Sequence, residues 1–481
     1  MENYAIELKG VTKRFGSVVA NNQVDLALKK GEILSILGEN GSGKTTLMNM
    51  LSGIYYPDEG QILINGKEVS INCPKDAFDL GIGMIHQHFK LIDILTAAQN
   101  IILGLDGAMK LDMKKVNQEI DALVSKYGFD LTPAEKIYNM SVSQKQIVEI
   151  VKVLYRGADI LIFDEPTAVL TPQETQRLFT VLKKMKLLGK SIIIITHKLN
   201  EVLEISDRVA VLRKGKCEGV VETKDATAAS LTELMVGEKV ELNIQRSDPQ
   251  KPEKRIEMRG VTVRNSEGLS ILKDISFVAK SGEILYYPPN GANVEKLSEK
   301  TVREIQNLKI SLSFVPEDRL GMGLVGSMDL TDNMMIRSYR SGKSRFFTDR
   351  KTPQKLAKRI VDKLEVATPD IDTPVRRLSG GNVQKILVGR EIALNPDVLM
   401  VAYPVRGLDI TSSYTIYNLL NEQKEKGVAV MCVGEDLDVL LQLCDRILVL
   451  CEGRISCIVN AKLTTKEEIG MYMTGARKAG V

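Results

Sequence analysis

Apolar and polar positions alternate through Ile6-Glu-Leu-Lys-Gly-Val-Thr-Lys-Arg-Phe15, and a second such stretch follows at Asn22–Leu28, so each predicts a half-buried β-strand. Ile33–Leu37, Ala158–Phe163 and Ser191–Thr196 are apolar with little interruption. Runs of that kind predict strands buried on both faces, as in a parallel sheet covered by helices. The opening order then recurs: Ile256–Val263, Ile271–Phe277 and Ser281-Gly-Glu-Ile-Leu285 follow in the order of the first three strands, so the chain reads as an internal duplication. The polar, proline-bearing stretch Gln245-Arg-Ser-Asp-Pro-Gln-Lys-Pro-Glu-Lys254 predicts a linker. Domains are therefore expected at 1–244 and 255–481, with 245–254 between them.

The run Ile33–Leu37 leads into Gly38-Glu-Asn40-Gly41-Ser42-Gly43-Lys44-Thr45-Thr46 and then an expected helix over Thr45–Leu51. This is the G-x-x-x-x-G-K-[ST] pattern, whose glycines let backbone N–H groups wrap a phosphate chain at a positive helix N-terminus. Lys44 would hold the β- and γ-phosphates and Thr45 a Mg²⁺ ion. An ordinary glycine turn is the plain alternative, and the strand before and helix after favour the cradle. The strand ending in Asp164 and Glu165 would bring two carboxylates to the ligand-facing end of the sheet. There Asp164 would support Mg²⁺ through its water shell, and Glu165 would polarise an attacking water. His197, just past Ser191–Thr196, would contact the γ-phosphate or hold that water; a structural histidine is the other reading. Gln87, in Met84-Ile-His-Gln-His-Phe89, would reach the metal and the water. Phe15 would stack on a purine ring or else pack in the core.

With 481 residues the chain is long enough for two cores, and 44% hydrophobic with 26% charged residues describes an ordinary globular protein. A formal net charge of +4 with scattered basic residues selects no partner. Six cysteines without a C-x-x-C pair predict reduced thiols rather than metal ligation. Neither a secretory leader nor a membrane-spanning run is expected, so any membrane role would come through partners.

In this order the motifs resemble the ATP-binding cassette (ABC) proteins: Walker A, Q-loop at Gln87, signature, Walker B, D-loop and switch histidine. The resemblance covers nearly the whole chain. It is most similar to double-cassette ATPase subunits of bacterial monosaccharide and nucleoside importers. It implies an α/β fold of two tandem P-loop nucleotide-binding domains, each with a mixed or parallel core sheet, an antiparallel β subdomain and a helical signature subdomain. It also implies ATP and Mg²⁺ as ligands, transmembrane permease subunits as partners and, through them, an extracellular solute-binding lipoprotein. No nucleic-acid partner is implied, and the chain would sit peripherally on the cytoplasmic face of the membrane. The stretch around His86-Gln-His-Phe89 is more similar to the nucleoside branch than to the monosaccharide branch.

The second half departs from the pattern. After Ser281-Gly-Glu-Ile-Leu285 it lacks a P-loop, and Glu295 falls where Lys44 stood. Gly31 to Gln87 spans 56 positions but Gly282 to Glu317 only 35. Ala402 and Tyr403 replace Asp164 and Glu165, and Glu435 replaces His197. Yet Leu378-Ser379-Gly380-Gly381-Asn382-Val-Gln384 is intact, a serine N-cap with two glycines opening a helix expected over Val383–Leu394. The first-half counterpart, Met140-Ser-Val-Ser-Gln-Lys-Gln146, has Val142 and Ser143 in place of the glycines. Family geometry would join the first half's P-loop, Asp164, Glu165 and His197 to the second half's signature and Asp409. The other composite site would combine the degraded parts, including Val169-Leu-Thr171. One working ATPase site is the expectation. A soluble twin-cassette ATPase acting on ribosomes or nucleic acid would call for two intact sites and a charged helical linker, and a non-catalytic scaffold would not need the complete first-half set.

Overall fold

The structure is a computed structural model that describes residues 3–87, 89–105, 112–168, 170–238, 244, 246–249, 252–265, 267–286, 311–339, 349–434 and 436–476. The chain divides into two compact units, Met1–Glu241 and Leu242–Val481.

In the first unit, β1 (Tyr4–Phe15), β2 (Val18–Lys29), β4 (Glu59–Ile64) and β5 (Lys67–Val69) form an antiparallel sheet in the order β2-β1-β4-β5. A second sheet runs β10-β9-β3-β8-β7-β6, built from β3 (Ile33–Leu37), β6 (Ile82–Ile85), β7 (Ile160–Asp164), β8 (Ser191–Thr196), β9 (Arg208–Arg213) and β10 (Lys216–Glu222). Its strands pair in parallel except β10 with β9. The apolar runs follow from burial on both faces. Leu34, Ile36, Ile193 and Ile195 point into a core shared with β1, β2, β4 and the helix Lys44–Leu51. Ile33, Ile192 and Ile194 point the other way, into a core shared with the helices Val142–Tyr155 and Pro172–Leu187.

The second unit repeats the central sheet: β13 (Ile284–Tyr286), β14 (Leu312–Val315), β15 (Val398–Ala402), β16 (Ala429–Val433), β17 (Arg446–Cys451) and β18 (Arg454–Asn460) lie in the order β14-β15-β16-β13-β17-β18. Strand for strand this is the first unit's order. The duplication extends to the buried polar supports. Glu32 pairs with Arg208 at 3.1 Å in the first unit, and Glu283 pairs with Arg446 at 2.5 Å in the second. Likewise Asp207 accepts from the Ile33 N–H, and Asp445 from the Ile284 N–H, both at 2.8 Å.

The antiparallel part differs. Among the described residues it consists of β11 (Lys254–Arg264) and β12 (Ser270–Lys280) alone, and most of β11 is exposed where β1 is largely buried. Between Leu37 and Ile82 stand 44 residues, carrying the glycine loop, its helix and β4–β5; between Tyr286 and Leu312 stand 25. Residues 287–310, including Glu295, lie outside the described residues, as do His88, Val169 and Glu435.

Part of the segment expected as linker is tied to the second unit. Arg246 donates to the Leu441 and Cys444 carbonyls, Lys424 donates to the Ser247 carbonyl, and Asp248 pairs with Lys462. The expected helix Val383–Leu394 instead runs Gly380–Ile392, because Ser379 caps it and both glycines fall in its first turn.

Candidate functional site

The glycine loop joins β3 to the helix Lys44–Leu51 at the C-terminal edge of the central sheet. Two of its glycines are sterically required. A Cβ at Gly38 would lie 2.3 Å from the Leu212 carbonyl oxygen; at Gly43, which has φ of 98°, it would lie 2.4 Å from that of Ala20. Asn21 braces the turn by donating to the Gly43 carbonyl at 3.2 Å. The helix opens without a side-chain cap, so its first-turn N–H groups are available to an anion.

Lys44 is buried, and its Nζ donates to the carbonyls of Gly38 at 2.7 Å and Glu39 at 2.8 Å. Burial lowers its pKa, against the pull of Glu165, Asp164 and Glu39. The buried Ser42 hydroxyl has no hydrogen-bond partner, while Asn40, Gly41 and Thr45 are exposed and Thr46 is half-buried. An orphaned hydroxyl, free N–H groups and a lysine aimed into the loop fit a polyphosphate.

The carboxylates stand at the end of β7. Asp164 closes the strand, buried, and Glu165 follows with φ of 47°, its N–H donating to the Ile195 carbonyl at 2.9 Å. That left-handed bend, uncommon for a non-glycine residue, turns the Glu165 side chain to meet two others. His197 Nδ1 lies 2.9 Å from Glu165 Oε1, and Gln87 Nε2 donates to Glu165 Oε2 at 3.3 Å. The predicted triad of Gln87, Glu165 and His197 is thus assembled from the ends of β6, β7 and β8.

Adjacent carboxyls are driven apart electrostatically. Burial, then repulsion from Glu165, lifts Asp164 to about 6, with Lys44 pulling the other way. Burial opposes ionisation of Glu165 too, but the His197 hydrogen bond and the His197, Lys44 and Lys198 charges outweigh it and hold the carboxyl below its usual range. A pKa raised by about two units costs about 3 kcal/mol once the group is ionised. Asp164→Asn is therefore expected to stabilise the nucleotide-free protein in EDTA at pH 7 by up to that amount. The gain should shrink as pH falls through about 6 towards 4, where the folded carboxyl is protonated and the unfolded one is about half protonated. Urea denaturation at both pH values measures it, and a variant no more stable than wild type at pH 7 would contradict the buried-charge account.

No cluster of three or more His, Cys, Asp or Glu able to hold a metal occurs among the described residues. Mg²⁺ takes one or two protein oxygens and completes its shell with phosphate and water, so its binding does not require such a cluster. Thr45, Gln87 and Asp164 are the oxygen-bearing groups that the sequence proposes for it.

Phe15 is 43% exposed, so the core-packing alternative does not hold. Its ring meets Tyr55 edge-on at 5.1 Å, and Lys13 Nζ lies 4.5 Å from the Tyr56 ring. Tyr55 and Tyr56 are thus part of an exposed aromatic platform that sequence reasoning missed; the only signal was a tyrosine pair shortly after the loop's helix.

The remaining predicted residues stand in the second unit. Ser379 accepts from the Asn382 N–H at 3.4 Å, and Asn382 Nδ2 donates back to it at 2.9 Å. Asp409 caps the helix Ile410–Glu425 through the Ser412 N–H at 2.6 Å, and a Cβ at Gly381 would lie 3.4 Å from its carboxylate. In the first unit Ser141 is the corresponding cap, Val142 covers the helix opening with a 42% exposed side chain, and Thr171 does the capping of Asp409. Tyr403 occupies the Glu165 position, with φ of 49° and its N–H on the Val433 carbonyl at 2.8 Å, which independently supports the motif alignment. At that bend stands a phenol, and Ala402 precedes it, so this unit has neither carboxylate.

A family model described as "ABC transporter" matches residues 21–168. A guanosine import ATP-binding protein of Bacillus subtilis is 41% identical, with 98% of each chain covered. A nucleoside import ATP-binding protein of Lactococcus lactis is 40% identical at the same coverage. A xylose import ATP-binding protein of Moorella thermoacetica is 35% identical over 99% of this chain and 100% of that one.

Proposed function

The chain belongs to the ABC transporter family of import ATP-binding proteins, and on that premise we propose that it energises nucleoside uptake through one competent ATP site built on its first unit. Binding and hydrolysis of ATP are the family's activity, and they need what the first unit collects: a phosphate loop, a lysine and a carboxylate held by a histidine and a glutamine. The observation that carries the one-site reading is the contrast at one backbone position, Glu165 with His197 and Gln87 in the first unit, Tyr403 after Ala402 in the second.

In this reading Lys44 and the Gly38–Lys44 amides hold the β- and γ-phosphates, and Phe15 with Tyr55 offers the purine an aromatic face. Glu165, kept ionised below its usual range, accepts the proton of the attacking water. His197 fixes the carboxylate's orientation through Nδ1 and leaves its other nitrogen for the γ-phosphate. Thr45, Gln87 and Asp164, the last through water, would hold Mg²⁺, which would supply neutralisation of phosphate charge. Ser379–Asn382 and Asp409 of the second unit are assigned the signature and D-loop roles, as the family resemblance implies.

The proposed partners are permease subunits and, through them, an external solute-binding protein, with the chain peripheral to the cytoplasmic face. No helix among the described residues is long and apolar enough to cross a membrane. Past β6 the first unit exposes Ile92, Ile94 and Leu103; past β14 the second exposes Leu320, Met322 and Met328. Each set is a surface of the kind that docks a partner helix.

Nucleoside cargo rests on the higher identity to the guanosine and nucleoside import proteins than to the xylose one. Uptake of labelled guanosine and labelled ribose by cells lacking and then regaining this chain tests it. Guanosine uptake that depends on the chain is expected; dependence of ribose uptake alone would move the cargo to monosaccharides.

A further inference from the structure

We propose that Arg319 and Arg406 are positioning residues that hold the Ser379–Asn382 helix opening in place from within the second unit. The proposal rests on the reading that this signature serves the first unit's nucleotide.

Arg319, four residues past the end of β14, is half-buried and spends its guanidinium on two backbone carbonyls: that of Arg406, and that of Gly380 at 3.5 Å. Arg406, four residues past the end of β15, pairs through its own guanidinium with Glu317 and lies 5.6 Å over the Tyr403 ring. The segment after β14, the loop after β15 and the first turn of the helix Gly380–Ile392 are thereby joined by one chain of polar contacts. Arg319 lacks a carboxylate partner among these contacts, so its donors are committed to geometry rather than to charge neutralisation.

At this end of its signature helix the first unit uses other groups: Lys145 pairs with Asp93 at 3.1 Å, and Gln146 donates to the Pro166 carbonyl at 2.9 Å, but among the described residues no arginine reaches the first helical residue. Counting from the ends of β6 and β7, the equivalents are Phe89 and Ala168, and Val142 stands where Gly380 admits the guanidinium. A Cβ at Gly380 would lie 3.0 Å from Arg319 Nη1, so the glycine and the arginine are mutually fitted. The far end of the helix is tied in both units: Arg390 donates to the Gly323 carbonyl at 2.7 Å, and its equivalent Lys152 to that of Lys90 at 3.3 Å. What distinguishes the second unit is that its tie holds the carbonyl of the first helical residue, Gly380, through a guanidinium shared with the loop after β15. In the first unit the groups at the Gln87 and Glu165 positions bond each other; in the second, Glu317 and Tyr403 both face Arg406. The loop positions that carry catalysis in one unit thus fasten the signature in the other.

Amide hydrogen exchange over residues 377–384, measured on the purified complex alongside ATPase rate and ATP affinity, tests the assignment. Arg319→Ala should speed exchange in that turn about tenfold and lower kcat by a similar factor, since each lost charge-assisted hydrogen bond is worth roughly a factor of ten or more. ATP affinity should stay at the wild-type value. Arg319→Lys should recover little, because an ammonium cannot span two carbonyls as a guanidinium does. Arg406→Glu should loosen the same turn, and adding Glu317→Arg should restore it. Unchanged exchange over 377–384 in Arg319→Ala would overturn the tie. Faster exchange with unchanged turnover would instead overturn the role of the signature on which the proposal rests.

Discussion

Glu165→Gln is expected to bind ATP as tightly as wild type and to hydrolyse it at least about 100-fold more slowly, the scale on which removing a positioned general base acts. The amide keeps the size of the side chain and can still meet Gln87 and His197, which lie 3.3 and 2.9 Å from the carboxylate. It cannot take a proton. The phosphate loop does not depend on it, because Lys44 is held by the Gly38 and Glu39 carbonyls. Equilibrium binding of a fluorescent ATP analogue and steady-state turnover, measured on the same preparation, separate the two effects. Near wild-type turnover would remove Glu165 from the role of base.

The second large effect is an asymmetry between the two signatures. Gly381→Asp should cut ATP hydrolysis by about 100-fold or more, the range seen when a preorganised donor to developing negative charge is lost. A side chain there enters a turn whose amides are offered to phosphate, and it starts 3.4 Å from the Asp409 carboxylate and 3.0 Å from the Ser412 hydroxyl. A second carboxylate would be repelled by both Asp409 and the phosphate. Restoring glycines in the first unit by Val142→Gly and Ser143→Gly should leave the rate near wild type and cost at most about 0.5 kcal/mol of helix stability per residue. The repaired turn would serve a site with Ala402 and Tyr403 in place of both carboxylates. A rise in ATPase rate from the double glycine variant, or indifference to Gly381→Asp, would each contradict the asymmetry.

Much of this was legible in the chain because its causes are local. The apolar runs at β3 and β8 read as doubly buried strands since neighbouring isoleucines pack into different cores, and no polar face interrupts them. The glycine loop read as a cradle because Gly38 and Gly43 stand where backbone approaches too closely for any side chain. Placing Tyr403 opposite Glu165 by counting along two diverged halves was sound because both occupy the same left-handed bend after equivalent strands.

What the chain did not disclose depends on contacts between distant segments. Phe15 gave no sign of whether it faced solvent, and only the neighbouring Tyr55 and Tyr56 define its platform. The role of Arg319 left no mark in the sequence, since an arginine committed to backbone carbonyls 61 and 87 residues away gives no periodic or spacing signal. Residues 246–248 read as spacer by composition, yet their partners Lys424, Leu441, Cys444 and Lys462 lie far along the chain.

The central claim is that one site per chain turns over. It is tested most directly by counting ATP bound and ADP formed per chain in a single turnover of the purified permease complex. The account predicts one ADP formed per chain, and its loss in Glu165→Gln. Two ATP hydrolysed per chain, or hydrolysis that survives Glu165→Gln, would contradict it.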